Sequence, residues 1–167
     1  NKYNCRLVGE LCDGIRMHGF NTMKYTKEVI IPAIEEGAKK AGRKLEDIDL
    51  VGGSFVIAGK TEEEVEKAKA PVRQQLAFYA STRVYHPVLE VHGWQDVGQQ
   101  LFRLSMEGKW PEMGALITDE MLEEFAVIGT YDQLVSKLKA RYSGVVTTLD
   151  FGFGIRTPEQ AEILADL

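Results

Sequence analysis

Apolar residues recur along this chain with two alternating patterns, one typical of helices and one typical of buried strands. Spacings of three and four residues favour helices, and short continuous apolar runs rich in β-branched residues favour strands covered on both faces. The predicted order is a helix over 5–12, a strand over 15–18, a helix over 22–41, a strand over 50–58, a helix over 61–79, an inserted helical region over 80–129, a helix over 130–142, a strand over 145–151 and a helix from 157. No strand is predicted inside the inserted region.

Local signals set several of these boundaries. Thr22 is a candidate N-cap of the long helix, Gly42 supplies a left-handed stop, and Pro32 predicts a kink within it. Thr61 and Glu64 have the spacing of a capping box. Strands separated by helices pair in parallel through right-handed crossovers, so the fold class is α/β.

Two architectures fit this alternation, a doubly wound sheet and a (β/α)₈ barrel. Only three strands are predicted, against eight in a complete barrel of about 250 residues. The chain is therefore expected to be either a small sheet or one partial domain of a barrel over 1–167. Because it begins with Asn1 rather than methionine, we expect a cleaved or truncated product.

Composition excludes several classes of protein. Of the 167 residues, 44% are hydrophobic and 27% charged, which indicates a globular chain rather than a disordered one. The net charge of −5 makes nucleic acid an unexpected partner. No apolar run reaches the roughly 20 residues of a membrane-spanning helix. Cys5 and Cys12 lie too far apart on one predicted helix to form a disulfide, so we expect a soluble protein of the reducing cytoplasm.

A set of short motifs, in a particular order and spacing, resembles the luciferase-like monooxygenase superfamily, and specifically its branch that uses the deazaflavin coenzyme F-420. The motifs are 6–14 (RLVGELCDG), 18–22 (HGFNT), Tyr25, 31–37 (IPAIEEG), 78–82 (FYAST), 85–90 (YHPVLE), Gly93 and 118–122 (TDEML). The resemblance implies the C-terminal half of a (β/α)₈ barrel, with its last three strands and a helical insertion before the final one. It also implies an absent N-terminal half that supplies residues around the cofactor.

What the resemblance implies for activity is hydride transfer between a (deaza)flavin and an organic small-molecule substrate. Coenzyme F-420 is the expected cofactor, and FMN is the alternative. The expected partners are the N-terminal half of the barrel or a second copy in a homo-oligomer. A hypothesis from another class remains open: the chain is a non-catalytic fragment or binding module that works only with a partner chain.

The segment formed by Asn1, Lys2, Tyr3 and Asn4 is the candidate cofactor-binding site. It lies just ahead of the helix predicted from Cys5, where free N–H groups and the helix dipole favour a phosphate. In the family that the chain resembles, the corresponding turn contacts the phosphate-bearing side of the cofactor. The alternative is an ordinary frayed terminus.

His18 is the candidate catalytic residue, and Gly19, Phe20 and Asn21 are candidate substrate contacts. They follow a predicted barrel strand, and catalytic groups of (β/α)₈ enzymes gather at those carboxyl ends. An imidazole there can donate a hydrogen bond or move a proton near neutral pH. If Met17 faces the barrel mouth instead, His18 packs outward and is structural.

Gly152 and Arg156, after the last predicted strand, complete the candidate substrate residues, because glycine allows close approach and arginine binds anions. The alternative is a tight turn with an exposed arginine. His86, Glu90 and His92 have no spacing suited to zinc, so no metal site is expected. Five aromatic residues are expected to pack the insertion onto the barrel: Phe78, Tyr79, Tyr85, Trp94 and Trp110.

Overall fold

The computed structural model describes residues 1–150, 157–158 and 161–162, and within them helices alternate with short parallel strands. The α-helices are α1 (Lys2–Leu11), α2 (Met23–Tyr25), α3 (Ile31–Lys40), α4 (Glu62–Ala80), α5 (His86–Glu90), α6 (Gln95–Met106), α7 (Trp110–Met113), α8 (Asp119–Phe125) and α9 (Tyr131–Tyr142). The strands are β1 (Gly14–Arg16), β2 (Asp49–Gly52), β3 (Phe55–Gly59), β4 (Ala126–Thr130) and β5 (Thr148–Leu149). The predicted α/β class is confirmed.

The three strands predicted as barrel strands form one parallel sheet in the order β1-β2-β5. Ile15 is in register with Leu50, and Val51 with Thr148. Parallel strands need crossover connections, which here are the segment holding α3 and the longer segment holding α4 to α9. The carboxyl ends of β1, β2 and β5 consequently lie at one edge of the sheet.

Two expectations about strands are wrong. The apolar run over 50–58 is not one strand, because it breaks after Gly52 into β2 and β3, which belong to different sheets. The inserted region does contain a strand: β4, at its end, pairs in parallel with β3 from Phe55↔Ala126 to Gly59↔Thr130. The glycine pair at 52–53 lets the chain leave the first sheet and start the second.

The first helix starts earlier than predicted. It begins at Lys2 rather than near Cys5, and Asn1 is its N-cap, with the Asn1 side chain accepting the Asn4 N–H at 3.0 Å. Lys2, Tyr3 and Asn4 therefore form the first helical turn instead of a preceding loop. The predicted segment therefore still contains a helix N-terminus, and its N-cap is Asn1.

The long helix predicted over 22–41 is interrupted. Thr22 caps α2 as predicted, its hydroxyl accepting the Tyr25 N–H at 3.1 Å. A π-helical turn over Thr26–Ile30 then leads into α3, with Pro32 near its start. The irregularity falls on the turn before the proline, where the ring would clash with an α-helical carbonyl. Gly42 has φ of +70°, which confirms the predicted left-handed stop.

Helices α1 and α3 pack unusually close together against the first sheet. A Cβ on Gly9 would lie 2.1 Å from the Ile34 carbonyl oxygen, and one on Gly37 would lie 2.0 Å from that of Arg6. Around this contact lies one apolar cluster: Cys5, Met17, Ile30, Ala33, Ile34, Ala38, Ile48 and Leu50. This packing fixes the start of α1 relative to β1.

The inserted region builds a second, larger core around β3, β4 and α4 to α8. Phe20, from the loop after β1, is 2% exposed and stacks on Phe125 with ring centroids 4.4 Å apart. The insertion is thereby tied to the loop that carries His18. Among the described residues, no helix combines the length and the apolar character needed to cross a membrane.

Candidate functional site

A cavity of about 350 Å³ lies at the carboxyl ends of the three barrel strands. Its walls come from the residues that follow β1, β2 and β5 and from one face of α4. They are Met17, His18, Gly19, Phe20, Gly53, Ser54, Phe55, Val56, Val72, Gln75, Tyr79 and Asp150. We call this the front cavity. Its position is the one at which (β/α)₈ enzymes hold their reacting groups.

Residues of β1 and the loop after it alternate between two sides of the sheet. Ile15 and Met17 pack into the cluster formed with α1 and α3, and Met17 is only 8% exposed. Arg16 and His18 are exposed on the other side. In a closed barrel that other side is the interior. His18 is thus exposed on that side, although Met17 also lines the front cavity.

His18 is held by two hydrogen bonds and two aromatic rings. Its Nδ1 accepts the Phe20 N–H at 3.0 Å, and its Nε2 lies 3.3 Å from the Tyr85 hydroxyl. The rings of Tyr79 and Tyr85 each have centroids 5.0 Å from that of the imidazole. The side chain is exposed to the front cavity yet fixed in orientation.

A second cavity of about 200 Å³ lies behind His18 and shares Met17, His18 and Phe20 with the front cavity. We call it the rear cavity. Its other lining residues are Asn1, Cys5, Ile15, Arg16, Asn21, Tyr25, Ile30, Val84, Tyr85 and Val88. Three residues predicted around the substrate or the reaction, His18, Phe20 and Asn21, thus share a space with Asn1, predicted on the cofactor side.

Asn21 is buried in this region and only partly satisfied. Its Nδ2 donates to the Thr26 hydroxyl at 2.7 Å, while its Oδ1 is buried and has no partner among the described residues. A buried acceptor without a donor is costly unless a ligand or water supplies one. Asn21 is 7% exposed, so little solvent reaches it.

The rear cavity leads to the start of α1. A third cavity, of about 450 Å³, shares Asn1, Tyr25 and Val84 with the rear cavity and is lined in addition by Lys2, Val29, Pro87, Glu90 and Val91. We call it the outer cavity. Asn1 and Lys2 border it. Tyr3 and Asn4 line none of the three cavities: Tyr3 is 67% exposed, and the Asn4 N–H donates to the Asn1 cap.

Two polar side chains of the rear cavity, those of Cys5 and Tyr25, are kept uncharged by burial. Burial raises the pKa of the Cys5 thiol and that of the Tyr25 phenol, and nearby Cys5 and Glu90 add to the shift of Tyr25. Both groups stay protonated at neutral pH. Positive charge comes from Arg16, which lines the rear cavity and pairs with Asp150, and from Lys2, which lines the outer cavity.

The remaining predicted residues are the substrate candidates after β5, the aromatic residues of the insertion and its histidines. Gly152 and Arg156 lie outside the described residues. Phe78 and Trp110 are 52% and 42% exposed, although Tyr79, Tyr85 and Trp94 do pack against the core of the insertion. His92 bonds the Thr22 hydroxyl at 2.9 Å through Nε2 and stacks on Trp94. Within the part of the chain that the structure covers, no three His, Cys, Asp or Glu side chains form a metal-binding group.

Sequence reasoning missed three contributors to the front and rear cavities. Tyr79 and Tyr85 were assigned only to packing, and Asp150 was treated as part of a strand. Asp150 carried a usable signal, because it is polar and sits at the carboxyl end of a barrel strand. Tyr85 carried none, since it lies 67 residues from His18 and the fold of the insertion brings them together.

Comparison with known proteins supports the architecture. Residues 2–148 match the family model of luciferase-like monooxygenases. An uncharacterized protein of Mycobacterium tuberculosis is 40% identical over 140 residues, which are 84% of this chain and 41% of that protein. The 5,10-methylenetetrahydromethanopterin reductase of Methanopyrus kandleri is 29% identical over 159 residues, 95% of this chain and 44% of the reductase.

A solved structure shows that the similarity extends to the fold. The coenzyme F-420-dependent tetrahydromethanopterin reductase from Methanopyrus kandleri superposes with a TM-score of 0.73 at 26% identity, covering 98% of this chain and 46% of that one. The chain thus spans less than half the length of these relatives and has the fold of part of a (β/α)₈ barrel. With its family model matched over nearly its whole length, the chain belongs to the luciferase-like monooxygenase family.

Proposed function

We propose that the chain forms part of a coenzyme F-420-dependent oxidoreductase and that its three neighbouring cavities hold the deazaflavin and an organic substrate. The coenzyme named for the solved relative supports F-420 over FMN, which we keep as the alternative. The observation that carries the proposal is a row of three cavities that share lining residues, from the strand ends, past His18, to the N-terminus of α1.

The residues present fit such a cofactor along that path. The rear cavity combines apolar residues with the neutral side chains of Cys5 and Tyr25, and Arg16 in its lining is paired with Asp150, which suits a planar polar ring. At the outer end, Lys2 and the N-terminus of α1 suit a negatively charged tail. Glu90 borders the same cavity and opposes that charge, so Lys2 has to offset it.

When bound, the deazaflavin would supply a hydride acceptor or donor. The protein's own contribution is to orient the groups and to keep water away from them. His18 stands between the front and rear cavities, where one side chain reaches the contents of both. Phe20 and Phe125 form the buried floor beneath it, which keeps the loop rigid.

The remaining wall of the site has to come from another polypeptide segment. Within the described part of the chain, β1 and β5 each pair with β2 only, so each has one free edge. We propose that the N-terminal half of a barrel, or a second copy, covers these edges and the exposed side of the sheet. Light scattering of this chain alone should then show an assembly, and a stable monomer at micromolar concentration would contradict the partial barrel.

An absorbance spectrum of the purified full-length protein tests the identity of the cofactor. The chromophores of F-420 and FMN have different spectra, so a retained cofactor identifies itself, and titration of each into cofactor-free protein ranks their affinities. Tighter binding of F-420 supports the proposal. Tighter binding of FMN would make FMN the cofactor in place of F-420. Binding of neither would favour a non-catalytic module.

A further inference from the structure

Asp150 brings a negative charge to the front cavity. Among the described residues that line this cavity, no other is Asp or Glu, and none is Lys or Arg. Arg16, which pairs with Asp150, lines the rear cavity instead. The two charges of the ion pair therefore border different cavities, the negative one at the front and the positive one at the rear.

The carboxylate of Asp150 is fixed through one of its two oxygens. Arg16 donates from Nε to Oδ2 at 2.9 Å, and its Nη2 lies 2.6 Å from the same oxygen. Among the described residues, Oδ1 has no hydrogen-bond partner, although a carboxylate can accept on both oxygens. The side chain is 37% exposed, and Oδ1 is not one of the buried polar atoms that lack a partner, so it is accessible to a small molecule.

The backbone of Asp150 is held as well. Its N–H donates to the Gly52 carbonyl oxygen at 2.6 Å, and its own carbonyl oxygen lies against Gly53, where a Cβ would come within 2.1 Å. A group anchored in this way loses little conformational freedom when it binds a partner. Oδ1 is thus a preorganised acceptor at the carboxyl edge of the barrel sheet.

The other polar groups of the front cavity agree with an acceptor site. The Ser54 hydroxyl donates its proton to the Phe55 carbonyl oxygen at 3.2 Å, which leaves the hydroxyl oxygen as an acceptor. The side chains of His18, Gln75 and Tyr79 can each donate or accept. The cavity therefore suits a molecule that brings hydrogen-bond donors and a positive charge.

We propose that Asp150 binds a protonated amine of the organic substrate through Oδ1 in the front cavity, with Arg16 holding the carboxylate in place. This assignment rests on the proposed function, because it takes the front cavity to hold the organic substrate, and it names the chemical class of that substrate. A substrate with a carboxylate at the same position would be repelled by Asp150.

The test compares benzylamine, which is protonated at neutral pH, with benzyl alcohol, which has nearly the same shape and no charge. Ligand-observed NMR measures the binding of each compound to full-length, cofactor-free protein. The wild-type protein should bind benzylamine about tenfold more tightly, because a hydrogen bond between two charged groups is stronger than one to a neutral group. Asp150→Asn should weaken benzylamine binding to the level of benzyl alcohol. Unchanged binding of benzyl alcohol to this variant shows that the cavity is intact.

Asp49→Asn is the matched control. It removes one carboxylate at the start of β2, at the opposite end of the sheet, where Asp49 accepts from the Thr148 hydroxyl at 3.0 Å. This variant should keep the wild-type preference for benzylamine. Equal affinity of the wild-type protein for the two compounds would overturn the assignment, and so would a preference that survives Asp150→Asn or is lost in both variants.

A second measurement needs no variant. Benzylamine, and not benzyl alcohol, should shift the side-chain carboxyl ¹³C resonance of Asp150 in the wild-type protein and leave that of Asp49 in place. An unmoved Asp150 resonance at saturating benzylamine would contradict the contact.

Titration with F-420 is separate from both measurements. A protein that binds F-420 but does not prefer benzylamine retains the proposed function and loses the amine site. A protein that prefers benzylamine through Asp150 but does not bind F-420 retains the amine site and loses the proposed function.

Discussion

Arg16 and Asp150 form an ion pair of 2.6 Å across strand β2, to which neither of them belongs. Arg16 ends β1 and Asp150 follows β5, so the pair spans the carboxyl edge of the barrel sheet. The glycines after Val51 leave room for this crossing. A Cβ on Gly53 would lie 2.1 Å from the Asp150 carbonyl oxygen.

This geometry separates the contribution of backbone packing from that of charge. Gly53→Ala should destabilise the protein by about 1–3 kcal/mol, because the added methyl group must displace the backbone at Asp150. Arg16→Gln should cost less than about 1 kcal/mol, since Arg16 is 72% exposed and solvent screens the pair. Urea unfolding of each variant measures both values.

Gly19→Ala is the control for the glycine substitution. A Cβ at Gly19 would meet no heavy atom within 4 Å, so the midpoint of unfolding should stay close to that of the wild-type protein. A Gly53→Ala variant as stable as Gly19→Ala would mean that β5 does not pack against the 52–53 turn as described.

The sequence was a good guide where local pattern and packing agree. Three parallel strands were predicted because each starts as a compact apolar run between helices, and the structure pairs them as β1-β2-β5. Strand β4 was missed because its apolar residues directly follow those of α8, and periodicity cannot place a change from helix to strand within one apolar run. His18 was predicted near the cavity from its place after a strand, whereas the position of Tyr85 depends on how the insertion folds back.

The bond between Thr22 and His92 predicts a pH dependence of stability. Burial lowers the pKa of His92, Lys24 adds to this shift, and three carboxylates oppose it: Glu28, Glu120 and Glu124. The native state then binds fewer protons than the unfolded state below about pH 6.5, the ordinary value for histidine. The free energy of unfolding should therefore fall as pH is lowered through that value.

Because other groups titrate in the same range, the comparison is with His92→Gln, which can still accept from the Thr22 hydroxyl but does not titrate. As the pH is lowered from about 7 to about 5, the unfolding free energy of the wild type should fall more than that of His92→Gln. A difference that stays constant over this range would show that His92 is not buried in its neutral form.

Lys2 gives a charge-based prediction for the outer cavity. If a negatively charged cofactor tail lies there, Lys2→Glu should weaken F-420 binding about fivefold, corresponding to about 1 kcal/mol for a solvent-exposed charge. The effect should shrink as salt is raised, because screening acts on exposed charges. Lys39→Glu, at the far end of α3, makes the same change in net charge away from the cavities and should leave affinity unchanged. Equal losses in both variants would remove Lys2 from the site.

His18 and Phe20 are two residues apart, yet substitution of His18 should lower activity and substitution of Phe20 should lower stability. His18 is exposed and lines the front cavity, so on the proposed function His18→Ala should lower kcat/KM by about 10²-fold while the Tm changes little. Phe20 is buried against Phe125, so Phe20→Ala should cost about 3–5 kcal/mol of stability. Its turnover per folded molecule should fall less than that of His18→Ala. Thermal unfolding and steady-state kinetics on the same preparations separate these effects. If His18→Ala lowers the Tm as Phe20→Ala does and keeps its turnover, His18 is a structural residue of the loop and the site has to be assigned elsewhere.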